Sequence, residues 1–355
     1  MKAIVTTLGI TILFLFSFLS VKGQEKIVEK ISTGYGFKDE IIHKAQGLNV
    51  LNIENKYGNI TIDGWDNDSV QIDYEISIGT YTEDLAQEIM DQITVREYST
   101  GNELFVKTLF EEEFHSAFTF SINYKIKVPY KLQTNIKTGF GNTFLKDIQG
   151  KVSVNAEYGK LFIKNPDSTD LPDLNLTLDF VEGEIENAEN ANLTLNNCTF
   201  DIDRINNVSG KTKFSVIRID ELNQMKLKSE IDRFTIGHAD SVTIIGEKSF
   251  ITINNLSEFG HFEINTGGLK VKAGNSLKSL TVANIKANSE ITLPETLSYL
   301  LHGEVKQGVF THYRKNSLRL LREQETISFS GEFGDNPTTN IIIFNTSSSL
   351  SVLKN

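Results

Sequence analysis

The side chains best spaced for chemistry in this sequence are carboxylates. Asp201 and Asp203 lie two residues apart, and Glu182, Glu184 and Glu186 alternate in VEGEIE, so on strands each set projects to one side. Stacked as neighbours, the two segments make an acidic ladder. Such a ladder has the donors for calcium, or for a general acid and base once burial or mutual repulsion separates their pKa values. On that reading the chain is a polysaccharide lyase or glycoside hydrolase working in an aromatic-rimmed acidic groove over residues 180–203. The plainer reading weighs more, since every strand of an exposed sheet shows a polar side to water and paired acids without aromatic sugar platforms seldom make a glycosidase.

Other reactive residues do not gather. His43, His115, His238, His261, His302 and His312 are scattered, with no pair at metal-ligand spacing, and there is neither a nucleophile elbow nor a phosphate-cradling glycine loop. His238 with Asp240 comes nearest to a ligand pair, and reads as two turn residues. Asp63, Asp66 and Asp68 miss the calcium-hand spacing. Trp65 beside them has the ring for sugar stacking, but reads better as folded onto its own coil. No catalytic residue, metal or cofactor is expected.

The elements that would carry these side chains announce themselves by a recurring phrase, an aromatic residue, then glycine, then a β-branched run. It appears as KYGNITI (56–62), GFGNTFL (139–145), EYGKLFI (157–163), FVEGEIE (180–186) and SEFGHFEI (257–264). Repetition at roughly 20 residues is the mark of a solenoid with one coil per repeat. Gly58, Gly141, Gly159 and Gly183 are expected at a corner where the backbone turns. Asn59, Asn142, Asn196, Asn197, Asn206, Asn207, Asn254 and Asn255 suit corners too, because asparagine tolerates left-handed backbone. Coil starts near Leu132, Val152, Leu174, Leu193, Phe214, Leu227, Val242, Phe262 and Leu280 give a loose period.

Composition agrees with an all-β chain. Of 355 residues 23 are Phe and only 5 Pro, and proline cannot donate to a sheet ladder. A net charge of -11 argues against nucleic acid and anionic lipid as partners. Residues 1–23 read as a signal peptide: a lysine start, an apolar run containing LFLFSFL, and small residues before a cut near Gly23. No stable membrane span is expected after cleavage. Lipid attachment would need a cysteine at the cut, and the single cysteine, Cys198, lies deep in the repeats, where it reads as a small core residue. The chain is thus expected in the periplasm, on the cell surface or outside the cell, and not as a lipoprotein.

Residues 24–130 hold a first coil followed by a cap. Thr82 precedes a helix with Glu83 and Asp84 in its first turn and Leu85, Ala86, Ile89, Met90 and Ile93 on one face, suited to plugging an open end. A hairpin follows, turned at Gly101. Residues 131–297 are the stacked coils. Residues 298–355 depart from the rhythm and read as closing strands, with Arg314, Lys315, Arg319 and Arg322 forming a small basic patch.

The run LNIENKYGNITIDGWDNDSVQIDYEI, the helix with its hairpin, the strand ending in VPY and the repeated YGK or FGN phrases resemble the adhesin-like β-strand repeat families DUF4097 and DUF2807, the latter the auto-transporter adhesin head GIN domain. The resemblance covers most of the chain after residue 23. It implies a single-stranded right-handed parallel β-helix and export, often in Bacteroidota, and it carries no catalytic residues to transfer. Glycine is lost from the later coils, where the corners must differ. Ser69, Ser168 and Ser241, in Asp-Ser-Val, Asp-Ser-Thr and Asp-Ser-Val, resemble the Asp-Ser/Thr-aliphatic O-glycosylation acceptors of Bacteroidota and are expected in turns.

The expected fold is therefore an all-β parallel solenoid with one short capping helix and a carboxy-terminal capping sheet. Its expected role is that of an exported, non-enzymatic adhesin or envelope scaffold holding a glycan or protein ligand. A carbohydrate-active enzyme is one alternative, and a periplasmic partner in envelope signalling is another.

Overall fold

The computed structural model describes residues 26–165 and 170–355; the signal segment and Ser168 lie outside the described residues. One sheet of 22 strands winds through them, and its long middle is parallel throughout. Val152 lies opposite Leu174, Glu182 opposite Thr199, Thr199 opposite Val216, and Val216 opposite Arg233. Inward positions alternate with outward ones, so Leu176, Leu193, Ile202, Ile219, Ile236 and Ile253 fill a continuous core.

The middle of the stack is more regular than its sequence spacing. Ladder pairing between successive coils from 182 to 247 joins residues 17 apart, as in Asn207 to Asn190, and the step lengthens to 20 where Phe259 lies opposite Ser279. Leu193, Gly210, Leu227 and Ile244 form one column. Gly210 stands where the pattern has an aliphatic side chain, which hides that coil from an apolar periodicity. Phe214, read from the sequence as a coil start, is instead an exposed corner residue.

The corner itself belongs to the aromatic residue of the repeated phrase more than to its glycine. Tyr158, Phe180, Asn197, Phe214, Ile231 and Lys248 all have φ between 50° and 58°, a conformation that costs a bulky side chain on the order of 1–3 kcal/mol and persists where surrounding structure imposes it. Of the glycines, Gly58 does take a positive φ, 117°. Gly141 and Gly159 are needed for close approach: a Cβ on each would sit 2.0 and 1.9 Å from the carbonyl oxygen of Gly58 and Gly141 below. Gly183 is not a corner residue. It lies within strand Asp173–Asn196, and a Cβ there would be 2.2 Å from the Phe200 ring, so its role is to admit that ring to the core.

Just inside this corner runs a buried polar column, Cys198, Ser215, Asp232 and Ser249. The Cys198 N–H donates to Ser215 Oγ (3.1 Å), the Ser215 N–H to Asp232 Oδ1 (2.7 Å), and the Asp232 N–H to Ser249 Oγ (3.2 Å). Ser215, Asp232 and Ser249 thus each satisfy a corner amide of the coil before them. Thr212, Ser229 and the Glu230 N–H also donate to the Asp232 carboxylate, yet burial outweighs them and pushes its pKa up. Burial likewise raises the Cys198 thiol.

Both ends depart from sequential stacking. Strand Val50–Tyr57 is parallel to Glu103–Phe110 on one side and to Gln133–Phe140 on the other, while Ile60–Trp65 lies between Phe120–Pro129 and Thr143–Lys146. The first coil is therefore enclosed by later segments. Antiparallel strands then cover this end: Ile93–Thr100 on one wall, Ser69–Ile78 and Gly34–Lys44 on the other. The helix Glu83–Asp91 buries Ala86, Ile89 and Met90 beside them, leaving Leu85 exposed; Thr82 makes no side-chain capping bond. At the far end Thr339–Thr346 and Leu350–Lys354 insert between Ser279–Leu293 and the coil formed by Tyr299–Lys306 and Phe310–His312. Antiparallel Thr326–Phe333 and Arg319–Glu323 close the stack beyond.

Candidate functional site

Glu182, Glu184 and Asp201, three of the acids singled out from the sequence, share one flat, exposed side of the coils. Glu184 lies opposite Asp201, and Asp201 opposite Arg218, whose Nη1 donates to Asp201 Oδ1 at 3.0 Å. Lys160 Nζ is 3.0 Å from Glu182 Oε2. Glu186 and Asp203 fall at the next bend, where the ladder pairing lapses before resuming at Asn187 and Arg204. Of the five acids only Glu184 and Asp201 lie opposite each other, exposed and interleaved with cations. Two phenylalanines extend the side toward the amino-terminal end, Phe144 and Phe162, stacked with centroids 5.0 Å apart.

Histidine and tryptophan are taken up locally. The His238 nitrogens face Asn255 Nδ2 (2.8 Å) and Ser257 Oγ (3.3 Å) of the next coil, with Asp240 3.5 Å away. Trp65 Nε1 donates to the Ser69 carbonyl at 2.9 Å, and Lys127 covers the indole. Among the described residues no three His, Cys, Asp or Glu side chains group as a metal site. Ser69 opens strand Ser69–Ile78 and Ser241 lies within a strand opposite Gln224, so neither sits in a turn.

A different side carries the more organised surface. Outward positions of the strands at 50–57, 133–140, 152–158, 173–180 and 190–196 bring amides and hydroxyls into columns. Asn52, Asn135, Ser153, Asn175, Asn192 and Ser209 lie opposite one another coil by coil. Asn135 Nδ2 donates to Asn52 Oδ1 at 2.8 Å, and Asn52 Nδ2 to Glu103 at 2.9 Å. Farther along, Asn192 donates to Asn175 (3.2 Å), Asn207 to Asn190 (2.8 Å) and Asn190 to Asp173 (2.6 Å). Asn52 and Asn190 each spend one donor and one acceptor in these rows, leaving the rest of their bonding capacity toward solvent.

Two shallow depressions lie on this side and share Asn175. One, of about 310 Å³, is lined by residues including Asn52, Phe105, Asn135, Asn155 and Thr177. The other, of about 330 Å³, includes Asp173, Asn190, Asn192, Asn207 and Ser209. Neither includes any of the five acids. Glu54 at the first is bracketed by Lys137 (2.8 Å) and Lys107 (3.3 Å), and the Lys137 hydrogen bond, then Lys107, holds its carboxyl below the usual range.

One edge of this side is the aromatic corner. Tyr57, Phe140, Tyr158 and Phe180 stack in sequence, centroids 5.5, 5.2 and 5.1 Å apart and planes within 8° of parallel. Phe110 and Phe120 meet Tyr57 edge-on, and Phe114 packs behind them. Phe140, Tyr158 and Phe180 are each nearly half exposed, so their edges form an apolar ridge beside the amide columns. The ridge was visible in the sequence only as the first letter of a glycine phrase. The amide columns were visible as Asn175 and Asn192, and Asn190 and Asn207, each pair one coil apart at outward parity.

No family model matches the chain, so the likeness to the β-strand repeat families remains a resemblance of motifs. No curated protein matches it either. Solved structures similar to it include a candidate cell adhesion protein from Clostridium sporogenes (9% identity, 90% of this chain and 100% of that one, TM-score 0.22). A candidate lipid binding protein from Parabacteroides distasonis aligns at 11% identity over 90% of this chain and 96% of that one, TM-score 0.39. A candidate adhesin from Bacteroides fragilis aligns at 12% identity over 89% and 97%, TM-score 0.24. At such scores neither fold nor function is transferred from them. Among the described residues no helix is long and apolar enough to cross a membrane.

Proposed function

We propose that this protein is an exported, non-enzymatic binding solenoid, an adhesin or envelope scaffold, whose ligand lies along the amide columns and the aromatic ridge. The observation that carries the reading is the Asn52–Asn135 and Asn175–Asn192 rows, held by coil-to-coil hydrogen bonds on a rigid sheet. Side chains fixed before binding lose little entropy on binding, and a long array spreads weak contacts over many coils. Neutral amides beside an apolar ridge suit a neutral glycan or an extended polar protein segment of the envelope or cell surface. The acids from Glu182 to Asp203 have no part in it.

Two measurements test the reading. Protease shaving of intact cells should digest the chain if it works as a surface adhesin; protection until permeabilisation sinks the adhesin form and leaves the scaffold. In either compartment, Asn135→Ala with Asn175→Ala should weaken retention on isolated envelope material, whereas Asp201→Ala with Asp203→Ala should not. Glycan turnover abolished by the second pair would replace this function with an enzymatic one.

A further inference from the structure

The last coil occupies a slot whose two walls both precede it in the chain. Residues 340–346 pair along Ser279–Ile285 on one side, and residues 339–346 along Tyr299–Lys306 on the other. Leu350, Ser351 and Val352 likewise lie between Ser289–Ile291 and Phe310–His312. Until residues 339–354 arrive, these walls present unpaired parallel edges, the kind of template that captures a strand.

What fills the slot is specified from inside. Ile341, Ile343, Leu350 and Val352 enter the core, Thr339 Oγ1 donates to the Leu277 carbonyl (2.6 Å), and buried Asn345 meets Ser289 Oγ (3.2 Å). A foreign strand would leave those polar groups unpaired; the same segment of a second copy would not. The tether is short, residues 334–338. Gly334 (φ 78°) and Asn336 (φ 46°) are left-handed, Pro337 follows, and the Asp335 N–H is tied to Ser298 Oγ at 3.1 Å. Short, constrained hinges favour exchange between copies over closure within one.

We propose that residues 339–354 are exchangeable between two copies of this chain, each filling the other's slot, so that two solenoids join at their carboxy-terminal ends. The binding sides of both copies stay open in such a pair, because the exchange involves only the far end. The first coil cannot exchange in this way, since it is complete before its own walls are made.

The test refolds the full chain after residue 23 from denaturant over a range of concentrations and reads mass by light scattering. Exchange predicts a dimer fraction that rises with refolding concentration and then survives dilution, because separation requires a coil to leave its slot. Thr311 and Ser351 lie opposite each other with hydroxyls 3.1 Å apart, so Thr311→Cys in one tagged copy and Ser351→Cys in another report the partner directly. The chains are refolded under reductant and oxidised only once folded, when Cys198 is buried and its thiol pushed up by burial, so that it does not compete. Co-refolded single variants should give a disulfide joining the two tags. A chain that is monomeric after refolding at every concentration, or a mixture with no mixed disulfide while the double variant closes within one chain, overturns the proposal.

Discussion

At the amino-terminal end the enclosed coil, residues 50–65, is made before the segments that flank it; at the carboxy-terminal end the enclosed coil, residues 339–354, is made after both of its walls. The two arrangements hide an equal problem, the exposed cross-section of a solenoid, behind antiparallel strands. They differ in what must wait. The first coil acquires neighbours as the chain lengthens, whereas the last must enter a gap, so the far end is expected to complete later and to open more easily.

Their interiors differ as well. At the amino-terminal end Asn55, Thr108 and Tyr124 share neutral hydrogen bonds, Thr108 Oγ1 lying 2.6 Å from the Tyr124 hydroxyl. At the other end, beside neutral Thr339 and Asn345, a buried base is present. His312 Nδ1 accepts the Arg314 N–H at 2.9 Å, which leaves the proton on Nε2, 3.2 Å from the Tyr299 hydroxyl. Burial, and then the Arg314 charge, lower its pKa to about 4.

The largest expected effects come from emptying the two enclosed coils. Ile53→Ala and Ile343→Ala should each cost about 2–5 kcal/mol of stability in denaturant unfolding. Hydrogen exchange separates them: amides of 340–346 should exchange faster than those of 51–55 in the unmodified chain, and equal protection would erase the difference between the ends. Acid comes next. The folded His312 pKa lies below the usual imidazole value, so its contribution is whole above pH 6.5 and is lost as pH falls through about 4, a loss of roughly 3 kcal/mol. His312→Gln should flatten that acid limb, and near-ultraviolet dichroism from Tyr299 and Tyr313 should fall first.

Asp232 in the middle behaves oppositely. Its folded pKa is raised, so relative to Asp232→Asn the native chain is favoured most at low pH and loses ground as pH rises from the unfolded carboxyl value through the folded one. A gap that widens with rising pH would mean its donors outweigh burial. Tyr158→Ala on the ridge should cost about 1 kcal/mol in stacking beyond burial while reducing ligand retention. Smallest is Asp201→Asn, whose ion pair with Arg218 is half exposed and should change stability by roughly 0–1 kcal/mol.

What the sequence revealed followed from locality. Alternation along IDYEISI and the turn at Gly101 are settled by near neighbours and appear as expected, and so does the helix face Leu85, Ala86, Ile89, Met90 and Ile93 except that Leu85 is exposed and Ile93 opens the next strand. The recurring phrase located the first corners but placed the emphasis on glycine. Phe180 holds a left-handed backbone itself, because the stacked coils above and below impose what its own side chain resists. The Asp232 column is not legible in the sequence because three residue types, Cys, Ser and Asp, occupy one position of the coil. Interleaving at the ends was out of reach for a different reason: nothing in 339–354 distinguishes a strand that caps from a strand that inserts. Of the candidate site, Asn207 alone among the column asparagines is picked out by the sequence reading, as a corner residue, whereas Asn52, Asn135, Asn175, Asn190 and Asn192 are brought together only by the stacking of coils.

The 17-residue step of the middle coils sets the terms on which this chain can change length. A one-residue insertion between 182 and 257 would turn every following side chain of that strand inside out. Insertion of a whole 17-residue coil keeps each column in phase and lengthens the array by one layer, about 4.8 Å. Such a protein is graduated like a ruler: its reach can grow or shrink by whole divisions while every existing contact keeps its place.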